Sequence, residues 1–480
     1  MLSNYLKIAL RNLTKRKVYS LVNIGGMAMG IAAFILILEY VSLEKSVDKF
    51  HDNINKTFRL LNEGPKGEMW QQHAPGWVNL IKKEIPEIKS FCRFDDGNGR
   101  GIVTQVDKNI SFKEEKVSYA DGNFFNFFSF PLLKGQPADF DKPNVVFISE
   151  NHAKKYFGNE NPLGKSLILN NQFGSLNYVV GGVFSNIGEN SSIRFDMFFS
   201  LQTLQNPSNL NGNDWAALDN LDSQFIDIYF SLQENADYVK VEDKLNNLRK
   251  IHDKDSDGSI FRLQPFAEVH LASSLNDKAP HSGDVKYVYM LLGIAFLILL
   301  IAWFNYINLS TASAIKRAGE VGVRKVVGAT QNNLIYQFLV ESVLINLIAI
   351  TLAILMIFGI QPLFNKLMDK TMSILNLADS PVWVLSLLAL IVGSMAVGTY
   401  TAYLLSKFNP IQTLKGKFSK SNKGAFLRKS LVVSQFGISV ALVLTTVLIY
   451  SQLQYMRNKD KGLDLEQLMV INGPEIGKDS

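Results

Sequence analysis

The sequence predicts an α-helical polytopic membrane protein carrying a large mixed α+β extracytoplasmic domain. Three observations carry that prediction. Mean hydropathy is +0.07 over 480 residues, above what a soluble chain of this size needs. The apolar residues gather into runs near or above the ~20 residues a bilayer-crossing helix requires. A polar stretch from about Glu44 to Val285 holds no such run and is long enough to enclose its own core.

In chain order, residues 1–20 read as a cytoplasmic amphipathic helix. Leu2, Leu6, Ala9, Leu10 and Leu13 share one face, and Lys7, Arg11, Lys15, Arg16 and Lys17 lie among the rest. A first span, 21–43, follows; its apolar run, Leu21–Leu38, is too long for a signal-peptide core and lacks a small-x-small cleavage site, so it is read as an uncleaved anchor. Gly26 and Gly30 within it form a GxxxG that permits close helix contact, and Glu39 is expected at the outer interface. The extracytoplasmic domain occupies 44–285. Its clearest strands are Asn144–Ser149, Ser166–Asn170, Tyr178–Phe184 and Phe225–Leu232, interleaved with helices at Gly76–Glu84, Asn151–Phe157 and Ala236–Ile251. Residues 206–220 read as a loop or a boundary between lobes. Phe124, Phe125, Phe127, Phe128 and Phe130 suit either a ligand patch or core packing, and helical spacing favours the core.

The remaining chain alternates spans with basic inner segments: a second span 286–311, a coupling helix 312–332, a third span 333–360, an outer loop 361–380, a fourth span 381–405, a basic cytoplasmic segment 406–430, a fifth span 431–451 and an extracytoplasmic tail 452–480. Basic residues flank the inner end of every span, which places the N-terminus and residues 314–330 in the cytoplasm. The segment AIKRAGEVGVRKVVGAT, Ala314–Thr330, is squeezed between two spans. As a helix it sets Ile315, Ala318, Val321 or Gly322, and Val326 along one side and pairs Glu320 with Arg324; Gly328 stops it and Thr330 caps the next helix. A solvated loop whose charges only set orientation explains the same pattern. Glu341, at the inner start of the third span, is expected to face the bundle or a cytoplasmic partner and to pair with Arg324 or Lys325.

Several function classes drop out. A single cysteine, Cys92, excludes an intramolecular disulfide and a multi-cysteine metal site, and the six histidines show no HExxH spacing. Gly158–Ser166, GNENPLGKS, mimics a phosphate-binding loop but has five residues between its glycines where four are needed. Neither catalytic residues nor a cofactor are assigned, and the modest charge of +6 calls for no nucleic-acid partner.

The chain resembles the MacB/FtsX-like permeases of ABC transporters. The likeness runs through ALRNLTKRKVYSLVNIGGMAMG (Ala9–Gly30), Val146–Ser200, KRAGEVGVRKVVGATQNNLIYQFLVES (Lys316–Ser342) and SKFNPIQTLKG (Ser406–Gly416). The third stretch is similar to the family signature at Arg317, Glu320, Val321, Gly322, Arg324, Gly328 and Ala329, with Lys325 beside them. The resemblance implies a non-enzymatic permease of the bacterial inner membrane, with the N-terminus cytoplasmic. Its implied partners are a separate cytoplasmic ATP-binding subunit, a second copy or a fused second half, and a periplasmic or outer-membrane component. The implied cargo is an amphiphile, peptide, antibiotic or lipoprotein; regulation of cell-wall hydrolases without transport is the alternative. Ala425–Ile449 repeats the basic-then-apolar plan of Arg11–Ile37, so the fifth span reads as the opening of a second copy of the unit or as a lone fifth anchor; single-unit relatives have four spans and tandem ones eight.

Overall fold

The computed structural model describes residues 2–253, 258–271, 283–375, 381–406 and 422–459; within these, some side chains, including all of 314–320, lie outside the description. Two compact units result, one from residues 46–285 and one from 1–45 with 286–468. The chain begins with α1 (Leu2–Lys15) and α2 (Lys17–Ser46). The outer domain then runs β1 (Thr57–Glu63), β2 (Met69–Trp70), β3 (Gln72–His73), α3 (Trp77–Glu84), β4 (Ile88–Asp95), β5 (Gly101–Gln105), β6 (Ile110–Glu114), β7 (Val117–Ala120), α4 (Phe124–Phe127), β8 (Leu132–Lys134) and β9 (Val145–Ser149). It continues with α5 (Glu150–Phe157), β10 (Ser166–Asn171), β11 (Gly174–Phe184), β12 (Met197–Ser200), β13 (Ile226–Leu232), α6 (Tyr238–His252), β14 (Ile260–Pro265) and α7 (Phe266–Val269). The chain returns through α8 (Val285–Val326), α9 (Gln331–Met368), α10 (Pro381–Ser406) and α11 (Asn422–Asn458).

The strands of the outer domain join one mixed sheet, ordered β14-β1-β13-β4-β7-β12-β9-β11-β10-β5-β6, with β2, β3 and β8 attached at β1, β13 and β11. Alternation along β13 explains its two-sided burial. Ile226, Ile228 and Phe230 enter a core covered by α3 and α6, through Trp77, Val78, Ile81, Val241 and Leu245. Tyr229 faces the other way, into an aromatic cluster with Phe94, Phe124, Phe125, Phe128, Phe147 and Phe266. The phenylalanine run at 124–130 is therefore core, with Phe124 stacked on Phe130 and other rings edge-on or tilted, at centroid distances such as 4.3 Å for Phe124 and Phe198. Cys92 is buried in the same cluster.

Ser149 caps α5, its hydroxyl accepting from the His152 N–H, and Gly158 ends that helix with φ of +64°. Residues 206–220 do not separate lobes; their short turns bring Leu210 and Ala216 into the main core, so the sheet is continuous beneath them. In the loop that mimics a phosphate-binding site, Lys165 is paired with Glu160.

In the other unit, α2, α8, α9 and α11 are long and apolar enough to cross a membrane, and the described apolar stretch of α10 is Leu390–Tyr400. Met27, Ile31 and Ile35 of α2 pack with Ala295 and Leu299 of α8 and with Ile345, Ala349 and Ile357 of α9; α10 lies along α9 and contributes Leu390. Large apolar side chains such as Leu347, Leu355 and Phe358 point outward, as lipid contact requires. The basic segment 407–421 and the tail 460–480 lie outside the described residues.

Candidate functional site

The expected coupling helix is not a separate element. α8 continues without a break for 42 residues, from the span into the basic segment. No proline interrupts Ser310–Val326, and the glycines at 319 and 322 each cost only ~1 kcal/mol, too little to break a helix already anchored at one end. Gly328 stops it. Its φ of +101° is left-handed; the Gly328 N–H donates to the Lys325 carbonyl at 3.2 Å and the Ala329 N–H to the Arg324 carbonyl at 2.9 Å. This is a Schellman closure, and it satisfies carbonyls that would otherwise be orphaned. Two residues on, the Thr330 hydroxyl accepts from the Asn333 N–H at 3.3 Å and starts α9. The reversal between two membrane helices therefore has almost no slack.

The residues singled out in sequence scatter over this turn. Arg317 and Glu320 lie within α8, with side chains outside the described residues, as does the Glu320–Arg324 pairing. Val321 is 2% exposed and packs with Leu334 and Phe338 of α9 and Ala402 of α10; Gly322 beside it is buried too. Arg324 donates from Nη1 to Gln337 Oε1 at 2.6 Å, joining the end of α8 to the first turns of α9. Glu341 is buried one turn beyond Gln337, inside the bundle; the described hydrogen bond of Arg324 goes to Gln337, while Lys325 is half-buried. Gly328 and Ala329 build the turn itself. The expected apolar stripe splits, because Val326 is exposed where Val321 and Gly322 are covered. Val323, Val326 and Val327, at 54%, 68% and 81% exposed, form an uncovered apolar end to α8. The alternation VGVRKVV carried that signal, since one helical face cannot bury all four valines.

Behind the turn, polar side chains bind the helices together. Arg16 Nη1 donates to Ser313 Oγ at 2.6 Å and Tyr19 OH lies 3.0 Å from Ser310 Oγ, fastening the start of α2 to α8. Tyr306 OH donates to Ser342 Oγ at 2.7 Å, Ser394 Oγ to Asn346 Oδ1 at 2.8 Å, and Asn346 Nδ2 to the Ser342 carbonyl at 2.8 Å, linking α8, α9 and α10. Sequence reading passed over these residues, although serine and asparagine recurring inside apolar runs was the available cue. The GxxxG serves the same bundle. A Cβ on Gly30 would stand 2.6 Å from Ala302 Cβ, and one on Gly26 3.0 Å from Asn305 Nδ2, so both glycines seat α2 on α8 within the chain. Glu39 does not reach the interface; it is 4% exposed and accepts from Gln361 Nε2 of α9 at 3.0 Å. At the same end Lys370 lies 3.4 Å from Glu44, whereas α1, before the other end of α2, packs against α9.

Comparison with known proteins gives two successive matches. Residues 20–248 match the MacB-like periplasmic core domain, and residues 292–410 match the FtsX-like permease C-terminal family. A macrolide export ATP-binding/permease protein MacB of Bdellovibrio bacteriovorus is 24% identical over 424 residues, 84% of this chain and 60% of that protein. The ABC transporter permease YvrN of Bacillus subtilis is 23% identical over 437 residues, 86% of this chain and 99% of its own length. The periplasmic region of MacB from Actinobacillus actinomycetemcomitans aligns with 45% of this chain and 90% of its own at 19% identity and a TM-score of 0.32. The chain thus spans about three fifths of the first of these relatives and nearly all of the second. With both family models matched in order, one from α2 through most of the outer domain and one over the returning membrane helices, the chain belongs to the MacB/FtsX-like permeases of ABC transporters.

Proposed function

We propose that this chain is the permease subunit of a mechanotransmitting ABC transporter. In this reading α1 and the α8–α9 turn face the cytoplasm, as the basic residues beside each span require. A separate ATP-binding subunit docks on the end of α8, around Arg317–Ala329. Closure of that subunit moves α8 and α9 as levers, and the motion reaches the outer domain, which handles an amphiphile, peptide, antibiotic or lipoprotein. The permease works as a pair, either with a second copy or with a fused second half. The carrying observation is the unbroken α8 with its Schellman-closed, Thr330-capped reversal, since a slack loop absorbs a displacement whereas a continuous helix passes it on.

The test uses a Cys92→Ser background and single cysteines. Val327→Cys is expected to cross-link to the ATP-binding subunit in inverted membrane vesicles and to resist an impermeant thiol reagent in intact cells, while Asn209→Cys is labelled from outside. Labelling of Val327→Cys in intact cells would reverse the topology and end the proposal.

A further inference from the structure

On the sheet face opposite the main core, β1 and β13 set Arg59 directly across from Tyr229, with Asp227 two residues along the same strand. Both charged side chains are buried, Arg59 at 2% and Asp227 at 4% exposed, yet they do not form an ion pair. The Arg59 guanidinium is held by amide oxygens instead: Nη2 and Nε donate to Gln264 Oε1 at 2.6 and 3.2 Å, and Nη1 to Gln71 Oε1 at 2.8 Å. Among the described residues no hydrogen bond reaches the Asp227 carboxyl, and its Oδ1 is sealed from solvent without a partner.

Leaving a buried cation without a carboxylate and a buried carboxyl without a donor costs several kcal/mol, so packing alone gives no reason for the arrangement. Both groups open on a cavity of about 330 Å³. Arg100 and Lys116, both exposed, stand at its mouth, and Phe195 and Val269 give it an apolar wall. Asp96 and Glu115 also border it, but Glu115 is turned to Lys113 at 3.6 Å. Burial pushes the Asp227 carboxyl well above the usual carboxylate range, against the pull of Arg59, and Arg59, Arg100, Lys116 and Arg194 outnumber the acidic residues of the lining.

We infer that this cavity binds the acidic headgroup of an amphiphile. The headgroup, a carboxylate or a phosphate, is received by Arg59, with Arg100 and Lys116 closing over it, and the hydrocarbon lies along Phe195 and Val269. The inference rests on the outer domain being the cargo-handling part of the transporter.

The full chain in nanodiscs of zwitterionic phospholipid is titrated calorimetrically with octanoate, octyl phosphate and octylammonium, empty nanodiscs being subtracted. One saturable site per chain is expected for octanoate or octyl phosphate, the tighter of the two identifying the headgroup, and none for octylammonium. Arg100→Glu combined with Lys116→Glu, both at exposed positions, weakens that binding about tenfold or more with an unchanged thermal midpoint. Asp227→Asn, which leaves the cations of the lining in place, retains binding. Absence of saturation by either acid, equal binding by the double variant, or octylammonium binding that Asp227→Asn abolishes would each overturn the inference. Because no nucleotide or ATP-binding subunit is present, failure here is separate from failure of the coupling test.

Discussion

The two units differ in what joins the aliphatic side chains of their cores. Inside the outer domain the sheet is clasped by aromatic and aliphatic layers, and Tyr119, Phe124, Phe147 and Phe198 are all but inaccessible. Inside the membrane unit the buried set includes Asn23, Ser310, Tyr306, Gln337, Glu341, Ser342 and Asn346 beside its aliphatic residues, while other large apolar side chains such as Leu347, Leu355 and Val343 face outward. Water drives the first arrangement, because apolar burial is worth roughly 25 cal/mol per Å². Lipid removes that drive, so the helices are held by close packing and by hydrogen bonds of roughly 0.6–2 kcal/mol each. A bundle held by a few directional contacts can exchange one set for another. The outer domain, whose stability is spread over a large core, should move as a body.

The widest gap between the units should appear with core truncation. Phe124→Ala, at a fully buried ring, is expected to cost ~3–5 kcal/mol and to unfold the outer domain at growth temperature. Loss of protease resistance confined to residues 46–285 is the measurement; an unchanged digestion pattern would mean the aromatic cluster is not what holds the domain. In the membrane unit the corresponding lesion is an added side chain. Gly30→Leu has to displace Ala302, whose Cβ would lie 2.6 Å from the new Cβ, at a cost of ~1–3 kcal/mol. Thermal stability in detergent should fall, and Ala302→Gly should restore part of it. Rescue by Ala302→Gly is what a dimer-forming GxxxG would not give.

A pH experiment separates the units by titratable burial. His73 is enclosed in the outer domain, its Nε2–H donating to the Leu60 carbonyl at 3.0 Å and its Nδ1 facing Asn62 Nδ2 at 3.2 Å. Desolvation lowers its pKa to about 3, although the Leu60 bond opposes the shift and Arg249 and Arg59 add to it. The folded value lies below the unfolded one, so the unfolded state binds the extra proton between them. Stability from His73 is complete above ~6.5 and declines by up to ~1.4 kcal/mol per pH unit as pH falls toward 3. His73→Asn should remove that slope relative to the parent, read from tryptophan fluorescence during thermal unfolding. Asp95, raised to about 6 chiefly by burial, works in the opposite sense between ~4 and 6, so only the difference between parent and variant is diagnostic. Smaller still is Asn346→Ala, which removes the acceptor of Ser394 and should cost ~0.6–2 kcal/mol. A stability unchanged by Asn346→Ala would show that the polar seam adds no cohesion.

What could be read in the sequence follows the same division. The four strands named in advance, and α3, α5 and α6, announced themselves by alternation, by β-branched residues, and by caps such as Ser149, all of them local signals. Gly328 and Thr330 were equally local, because a left-handed turn and a hydroxyl cap each need one residue type at one position. The arrangement of the sheet was not legible: β13 pairs with β1 and β4, more than a hundred residues away, and no local pattern encodes that register. The membrane spans were visible as runs, but a run does not tell which side is inward. Glu39 was placed at the interface for that reason, since its partner Gln361 lies 322 residues on. The stripe assigned to Ile315, Ala318, Val321 or Gly322, and Val326 failed at Val326, which is exposed and lies about 140° around the helix from Val321.

That failure changes which residue tests the coupling turn. Gly322 stands in the family signature and in the expected stripe, which makes it an obvious position to probe. In the fold Gly322 is covered by its own chain, so a leucine would disturb the packing of Val321 on Leu334 and Phe338 and confound any functional loss with misfolding. Val326 and Val327 are free of that difficulty. At 68% and 81% exposed they contribute little to the fold, and Val326→Asp should change stability by no more than ~0.5 kcal/mol. A buried contact with the ATP-binding subunit, by contrast, would have to desolvate the new carboxylate, a penalty large enough to dismantle a small interface. The expected result is normal abundance and thermal midpoint, loss of co-purification with the ATP-binding subunit, and loss of transport-linked ATP hydrolysis. Wild-type association by Val326→Asp and Val327→Asp together would leave the end of α8 as bare solvent-facing helix, and the lever would have to be sought elsewhere in the bundle.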